Sequence, residues 1–284
     1  MILVADSGST KTSWVLAGEG GEPKVVNTIG LNPRTTPSAV FGSTFKAISQ
    51  QAGSQSVDKI WYYGAGCGTH YAQNVVRCHL EEYFPQAEIV VDSDLMGACK
   101  ATLGDKAGLV GILGTGSNAC YFNGEHIINR LPSLGYILGD EGSGNHIGRL
   151  LLKSYFDGTM PKHISVLFQE KYNIDYENEI NAIYRQPEPN AHLAGFAPFA
   201  NEHRKDKFVG QLLREAFAQY FLKQVQPLGE GPISLVGSVA YHFQPEIIEA
   251  AKGMGIDVVE VVRTPIMGIL KNLNVNNNYN LITL

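Results

Sequence analysis

The stretch MILVADSGSTKTSWVLAG at Met1–Gly18 decides the fold, because it runs as a strand into a tight turn of glycine, serine and threonine and out along a second strand. The segment GILGTGSNACYF at Gly111–Phe122 repeats this device. Glycine lets the backbone turn sharply, and the N–H groups of such a turn can point together into an anion-binding concavity. A chain that builds the turn twice is expected to hold a phosphate chain between two half-molecules. A nucleotide-dependent phosphotransferase is therefore the leading hypothesis.

The strand pattern predicts two successive units, each of which opens with a three-strand antiparallel meander. The predicted strands of the two meanders are Ile2–Asp6, Thr12–Ala17 and Lys24–Thr28, then Gly108–Leu113, Asn118–Phe122 and Glu125–Asn129. Helical periodicity predicts the helices Pro37–Gln51, Tyr71–Tyr83, Leu95–Leu103, Gly144–Phe156, Pro161–Tyr172, Tyr176–Tyr184, Asp206–Val225, Val239–Gly253 and Pro265–Leu273. Further strands are predicted at Lys59–Tyr63, Glu88–Val91, Pro232–Gly237 and Asp257–Val262, and a solvated tail at Asn272–Asn280. The expected domains are 1–107 and 108–284, the second with a helical insertion and a C-terminal helix that could pack back on the first.

Composition limits the classes of partner. The 284 residues suit two domains, and a net charge of −5 gives no general attraction to nucleic acid or an anionic membrane. No apolar run is long enough for a transmembrane span, and Asp6 interrupts the apolar start, so neither a membrane anchor nor a signal peptide is expected. The four cysteines, 11, 21 and 21 positions apart, match neither a zinc pattern nor a disulfide framework, and the eight histidines show no H-x-x-H grouping. We expect a cytoplasmic protein with reduced thiols.

The first turn carries a carboxylate, Asp6, at the end of its strand. A carboxylate beside a phosphate site repels the anion, so we expect Asp6 to orient a metal ion or its waters. The hydroxyls and backbone of the turn, with Lys11 as a possible phosphate contact, are the predicted phosphate ligands: Ser7, Gly8, Ser9, Thr10 and Lys11. An ordinary surface hairpin is the alternative. The Walker pattern G-x-x-x-x-G-K-[ST] is absent.

The second turn lacks the acid, and the pair of turns is more specific than either alone. Its predicted nucleotide contacts are Gly114, Thr115, Gly116 and Ser117. Downstream, LGYILGDEGSG at Leu134–Gly144 is too rich in glycine for a helix and too apolar for a solvated loop. Its adjacent acids suit hydroxyl recognition, since a carboxylate can accept two O–H bonds at once. The alternative for Glu141 is that it caps the following helix.

The chain resembles the sugar kinase/heat-shock ATPase/actin superfamily and, within it, the N-acetylglucosamine kinase branch of the BadF/BadG/BcrA/BcrD ATPase family. The resemblance rests on Asp6–Thr12, Val91–Asp94 (VDSD), Gly114–Asn118, Leu134–Gly144 and Leu235–Ala240 (LVGSVA), which follow in the family's order over nearly the whole chain. It implies an α/β fold of two ribonuclease-H-like, actin-like ATPase domains with a cleft between them.

The resemblance also implies residue roles. It places the catalytic carboxylate at Asp94, where a base near the sugar hydroxyl could accept its proton; the alternative is a helix capped by Asp92 or Ser93 with Asp94 as its N-terminal acid. Related proteins pack adenosine against the turn at Gly237 and Ser238. The implied sugar contacts are Asn32, Asn118, Gly135 and Asp140. Leu134 stands where a related animal enzyme carries an aromatic residue, so the exact sugar stays open.

The predicted activity is therefore ATP- and Mg²⁺-dependent phosphorylation of an amino sugar, most favourably the 6-hydroxyl of N-acetylglucosamine. Glucosamine and N-acetylmuramic acid are alternative acceptors. A second hypothesis is an ATPase that activates a partner enzyme; such relatives hold an iron–sulfur cluster with cysteines, but the sequence around Cys99 and Cys120 does not match them. A non-catalytic sugar sensor is a third. The expected partners are a small sugar and, as an assembly, a homodimer, with no nucleic acid and no membrane.

Overall fold

The computed structural model describes residues 1–18 and 21–273. Over these residues the chain divides into two compact units. One contains Met1–Ala107, Asn123–His126 and the segment from Thr264 onward, and the other contains Gly108–Phe122 and Ile127–Arg263. Beyond Leu273 the predicted tail lies outside the described residues. Among the described helices, none combines the length and the apolar character needed to cross a membrane.

The first unit is built on a mixed five-stranded sheet in the order β3-β2-β1-β4-β5. Its strands are β1 (Ile2–Ser7), β2 (Lys11–Ala17), β3 (Lys24–Ile29), β4 (Lys59–Gly64) and β5 (Glu88–Ser93). β1–β2–β3 is the predicted antiparallel meander, and β4 and β5 run parallel to β1. Parallel strands end at the same edge of a sheet, so residues that follow β1, β4 and β5 are brought together there.

Helices cover this sheet. They are α1 (Ser38–Ala52), α2 (His70–Tyr83), α3 (Asp94–Thr102) and, from the end of the described chain, α13 (Ile266–Asn272). One core contains Trp14, Phe41, Phe45 and Tyr62 between the sheet and α1–α2. A smaller cluster joins Ile2, Val4 and Val15 to Ile269 and Leu270 of α13. The last helix therefore packs within the first unit.

The second unit has its own five-stranded sheet, in the order β10-β9-β6-β7-β8. Its strands are β6 (Ala107–Leu113), β7 (Ser117–Asn123), β8 (Ile127–Arg130), β9 (Ile233–Val236) and β10 (Val258–Val262). β8 begins at Ile127 instead of the predicted Glu125, because Asn123 Oδ1 accepts hydrogen bonds from the N–H groups of Glu125 and His126 and closes a turn there. The predicted α/β class is confirmed, and each unit has a five-stranded mixed sheet.

The helices of the second unit depart from the prediction at several places. They are α4 (Gly135–Leu138), α5 (Gly144–Phe156), α6 (Lys162–Tyr172), α7 (Tyr176–Tyr184), α8 (Pro189–Ala194), α9 (Ala197–Glu202), α10 (Lys207–Tyr220), α11 (Ser238–His242) and α12 (Gln244–Lys252). The short helix α4 was not expected in a glycine-rich segment, and α8 and α9 were not predicted either. The helix predicted over Val239–Gly253 is broken at Phe243, because Pro245 has no N–H for the α-helical ladder.

The helix predicted over Asp206–Val225 changes type near its end. α10 ends at Tyr220. The chain then continues as a π-helical turn at Phe221–Val225 and a 3₁₀ turn at Gln226–Leu228. Pro227 cannot donate to the carbonyl of Lys223, so the α-helical pattern cannot extend through it. The π turn matters for the site, because Lys223 and Gln224 lie on it.

Candidate active site

The first glycine turn connects β1 to β2 and is held by a buried pair of hydroxyls. Ser7 Oγ and Thr12 Oγ1 lie 2.7 Å apart, and both residues are fully buried. Thr12 Oγ1 donates to the carbonyl of Ile29 at 2.9 Å, and Ser7 Oγ lies 3.2 Å from both the N–H and the carbonyl of Leu31. The Gly8 N–H donates to the Lys11 carbonyl and closes the turn. The Ser7 hydroxyl thus fixes the turn to the next loop, while Ser9, Thr10 and Lys11 form its more accessible part.

The loop fixed by Ser7 carries Asn32. Asn32 Oδ1 accepts the Arg34 N–H at 3.0 Å and lies against Gly66, where an added Cβ would be 2.2 Å away. The Asn32 side chain is half-buried. Gly66 follows β4, so the side chain of Asn32 lies beyond the carboxyl end of the sheet in the first unit.

That edge of the sheet also brings two acidic residues together. In the strand register Ser7 of β1 lies opposite Gly64 of β4, which lies opposite Ser93 of β5. Asp6 directly precedes this row and Asp94 directly follows it. Ser93 caps α3 by accepting the Met96 N–H, and Asp94 lies in the first helical turn. The capping alternative therefore holds for Ser93, and it leaves the Asp94 carboxylate at the edge of the sheet.

The electrostatics of this edge favour a cation. Burial, and next the negative charge of Asp94, raise the pKa of Asp6 to about 7, while Lys11 acts in the opposite direction. Burial and the charges of Asp94 and Asp92 likewise raise the pKa of the Cys67 thiol to about 12. A divalent ion would relieve this repulsion, and carboxylate oxygens suit Mg²⁺, which keeps water and phosphate oxygens as further ligands. No group of three or more His, Cys, Asp or Glu side chains suited to a metal occurs among the described residues. The Asp6 carboxylate, with Asp94 beside it, could therefore contact a metal ion whose other ligands are water and phosphate oxygens.

The second glycine turn, between β6 and β7, is fixed by the start of α5. The Gly114 carbonyl accepts the Gly144 N–H at 2.8 Å, and the Thr115 carbonyl accepts the Asn145 N–H at 3.1 Å. In a trans peptide the C=O and the following N–H point in opposite directions. The N–H groups of Thr115 and Gly116 therefore face away from α5. Successive N–H groups oriented in this way can form an anion-binding concavity.

Asp140 closes a ring of hydrogen bonds around this turn. Its Oδ1 accepts the Ser117 N–H at 3.3 Å, and its Oδ2 accepts from Asn145 Nδ2 at 2.8 Å. Asn145 Nδ2 also donates to the Thr115 carbonyl at 2.7 Å. Asp140 adopts a left-handed conformation with φ of 57°, and an added Cβ on Gly116 would lie 3.1 Å from its carboxylate. Burial raises the pKa of Asp140, although the hydrogen bonds from Asn145 and Ser117 act in the opposite direction.

A cavity of about 310 Å³ lies beside the second turn. Its lining comprises Gly114, Thr115, Gly144, Ala194, Ala197, Pro198, Asn201, Ser238, Val239, His242 and Phe243. The unpredicted helices α8 and α9 thus supply one wall. Gly237 has φ of 122°, and an added Cβ there would lie 2.3 Å from the Leu113 carbonyl, so β9–α11 contacts the start of the turn directly. We call this the turn cavity.

A cavity of about 420 Å³ lies on the side of Asp140, and we call it the acidic cavity. Its lining comprises Ser117, Asn118, Ala119, Leu131, Pro132, Ser133, Leu134, Leu138, Gly139, Asp140, Glu141, Lys223 and Gln224. Gln224 Nε2 donates to Ser117 Oγ at 2.9 Å and to Glu141 Oε2 at 2.8 Å, and Lys223 Nζ lies 3.6 Å from Glu141 Oε1. Burial raises the pKa of Glu141, but the hydrogen bonds from Gln224 and from the backbone, together with the charge of Lys223, act in the opposite direction, and the net shift is downward.

Within each unit, the structure brings most predicted site residues together. Asp6, the first turn, Asn32 and Asp94 lie at one edge of the first sheet. In the second unit, the second turn contacts the Gly237 segment on one side and Asp140 on the other, with Asn118 in the lining of the acidic cavity. Gly135 begins α4 with φ of 70° and stands outside that lining. The sequence analysis missed Asn145, Lys223 and Gln224. The sequence offered a signal for Asn145 alone, which directly follows the GDEGSG block.

Comparison with solved structures assigns the family. The "Putative N-acetylglucosamine Kinase" from Porphyromonas gingivalis is 35% identical to this chain, with a TM-score of 0.89 over 96% of this chain and 98% of that chain. The chain belongs to this N-acetylglucosamine kinase family. The predicted resemblance is therefore confirmed.

Other solved structures share the fold of the family. The "Putative N-acetylglucosamine Kinase" from Chromobacterium violaceum is 21% identical, with a TM-score of 0.69 over 96% of this chain and 98% of that one. A ROK family glucokinase from Streptomyces griseus, solved with glucose and AMPPNP, is 14% identical with a TM-score of 0.57 over 96% of each chain. No protein-family model and no curated protein matches the chain.

Proposed function

We propose that the protein is an ATP-dependent sugar kinase that phosphorylates an amino sugar, with the 6-hydroxyl of N-acetylglucosamine as the favoured acceptor. The observation that carries this proposal is the second glycine turn, whose Thr115 and Gly116 N–H groups face away from α5. The turn cavity beside it is lined mainly by small and apolar residues, which suits a purine and ribose. Membership of the N-acetylglucosamine kinase family supports the same class of reaction.

The proposed chemical step uses Asp94 as the base. The sugar hydroxyl oxygen forms a bond to the γ-phosphorus while the bond from that phosphorus to the bridging oxygen of the leaving ADP breaks. The hydroxyl proton passes to the Asp94 carboxylate. Asp6, with the first turn from Ser7 to Lys11, would hold Mg²⁺ or its waters. When bound, this ion would neutralise charge that develops on the phosphate oxygens.

The acceptor side is proposed from polar groups that can recognise hydroxyls. Asn32 offers an amide that can both donate and accept, and Asn118 and Asp140 lie in the lining of the acidic cavity. Gly135, at the start of α4, is the fourth proposed contact. Because ATP is the proposed donor, we place the reaction in the cytoplasm.

The buried cysteines do not favour a role as an activating ATPase. Cys99 and Cys120 are both fully buried. Neither thiol is therefore at the surface, where a cluster shared with another subunit would need it.

A coupled assay of ADP formation tests the proposed function. Wild-type protein with ATP and Mg²⁺ is measured with and without N-acetylglucosamine, glucosamine, N-acetylmannosamine, N-acetylmuramic acid and glucose. The proposal expects ADP formation that depends on an amino sugar and equals the sugar phosphate formed. ADP formation that is independent of every sugar would instead indicate an ATPase and would refute the kinase function.

A further inference from the structure

Asn145 stands out among the residues that the predicted site did not include. It is the second residue of α5 and is fully buried. Its side-chain nitrogen has two hydrogens and two partners, the Thr115 carbonyl at 2.7 Å and Asp140 Oδ2 at 2.8 Å. Both partners are acceptors, so only the nitrogen can face them, and the orientation of the amide is determined.

The oxygen of the Asn145 amide, in contrast to the nitrogen, has no hydrogen-bond partner among the described residues. Asn145 Oδ1 is buried and accepts no hydrogen bond within the described structure. A buried acceptor without a donor costs free energy. The packing therefore keeps both hydrogen bonds that the nitrogen donates, although the oxygen has no donor among the described residues.

The two donations reach opposite sides of the second turn. Thr115 lines the turn cavity, and Asp140 lines the acidic cavity. On one side, the bond to the Thr115 carbonyl fixes the peptide whose N–H belongs to Gly116. On the other, the bond to Asp140 holds the carboxylate that also accepts the Ser117 N–H. A shift of either group is transmitted to the other through the same nitrogen.

We propose that Asn145 is a positioning residue that couples nucleotide binding at the second turn to acceptor binding at Asp140. The inference rests on the proposed function, which assigns these two ligands to the two sides of the turn. A ligand that orders Gly116 would also order the Asp140 carboxylate, so each ligand would bind more tightly when the other is present.

The test measures this coupling directly. Calorimetry gives the dissociation constant of a non-hydrolysable ATP analogue with Mg²⁺, first without sugar and then with saturating N-acetylglucosamine. The coupling factor is the constant without sugar divided by the constant with sugar. Asn145→Leu keeps the branched shape of the side chain but removes both N–H donors. We expect analogue binding without sugar to weaken by up to about tenfold, the scale of the lost hydrogen bond to the Thr115 carbonyl. We also expect the coupling factor, above one in the wild type, to fall to one.

A second variant and a control separate coupling from general destabilisation. Both partners of the amide keep another donor in Asn145→Leu, so we expect the variant to fold, which thermal unfolding checks. Asp140→Asn disrupts the same Asn145–Asp140 pair from the other side. The double variant should lose no more coupling than either single variant does. Asn129→Leu is a control for the same chemical change at an exposed position, since its amide donates to the Leu228 carbonyl outside both cavities.

The outcomes are distinct from those of the proposed function. A wild-type coupling factor of one, or an unchanged factor in Asn145→Leu, overturns the inference even if the enzyme phosphorylates the sugar. Additive effects of the two substitutions on coupling also overturn it. Absence of sugar-dependent turnover in the wild type refutes the proposed function instead, and the analogue affinity of Asn145→Leu still decides the nucleotide half of the inference.

Discussion

Gly30 packs directly on the backbone of Ser9, so that a Cβ atom on Gly30 would lie 2.4 Å from both the carbonyl carbon and the carbonyl oxygen of Ser9. The Gly8 carbonyl oxygen would be 2.5 Å away. The glycine therefore lets the loop that carries Asn32 approach the first turn. Neither backbone can move without displacing a proposed ligand-binding segment.

Substitution of Gly30 by alanine should accordingly impair binding. We expect Gly30→Ala to destabilise the fold by about 1–3 kcal/mol, as overpacking does, and to raise the KM for ATP and for the sugar. Thermal unfolding and initial-rate kinetics measure the two effects. Gly21→Ala is the matched control, because an added Cβ there meets no atom within 4 Å. Equal kinetics for the two variants would contradict the argument.

Asp94 should carry the chemical step. Asp94→Asn removes the proton acceptor and keeps the side-chain shape, so we expect kcat to fall about 10²–10⁴-fold, the usual contribution of a general base. The KM values should change little, and the affinity for the ATP analogue should be retained. Rapid-quench measurement of sugar phosphate formation follows the step itself.

The neighbouring Asp92 provides the control for this change. Its Oδ1 accepts the Ser93 N–H at 2.6 Å, which an asparagine oxygen can still do. Asp92→Asn should therefore retain activity within a few-fold. Comparable losses in both variants would show that charge in this segment matters in general, with no distinct base at Asp94.

The sequence predicted most of the fold because strand ends and glycine turns are local signals. Asp6 and Asp94 could each be placed at the end of an apolar strand, and the parallel arrangement of the strands brings these two ends into line. The positions of Lys223 and Gln224 could not be predicted, because their helical phase depends on the π turn at Phe221–Val225. Asn145 was missed for a related reason. Its two acceptors belong to segments 30 and 5 residues away, and only the tertiary fold brings them to one nitrogen.

Asp6 should make stability depend on pH. Its folded-state pKa of about 7 lies above the ordinary 3.8, so the folded chain binds more protons than the unfolded chain between these values. This contribution to stability is therefore lost as pH rises through that window. We expect Asp6→Asn to be more stable than the wild type at pH 8 by about 2–4 kcal/mol and nearly equal to it at pH 4. Urea unfolding across the pH range measures the difference.

Magnesium provides the complementary half of this prediction. If Asp6 contacts the ion or its waters, Mg²⁺ with the ATP analogue should stabilise the wild type at pH 8 more than Asp6→Asn. The stability gain of the variant at pH 8 would then be accompanied by a loss of activity. A pH-independent difference between the two proteins would show that Asp6 is not the titrating group.

Gly237 allows the second turn to be tested with a control of matched backbone conformation. Gly237 and Gly229 have φ of 122° and 124°, so alanine is strained to a similar extent at both positions. They differ in what an added Cβ would meet, which is the Leu113 carbonyl at 2.3 Å for Gly237 and nothing within 4 Å for Gly229. Only Gly237→Ala should displace the start of the turn. We expect both variants to lose about 1–3 kcal/mol of stability from backbone strain, and only Gly237→Ala to lose affinity for the ATP analogue. If calorimetry gave equal affinities for the ATP analogue in the two variants, nucleotide binding would not depend on the position of the Leu113–Gly114 peptide. The β9–α11 junction would then not belong to the nucleotide site.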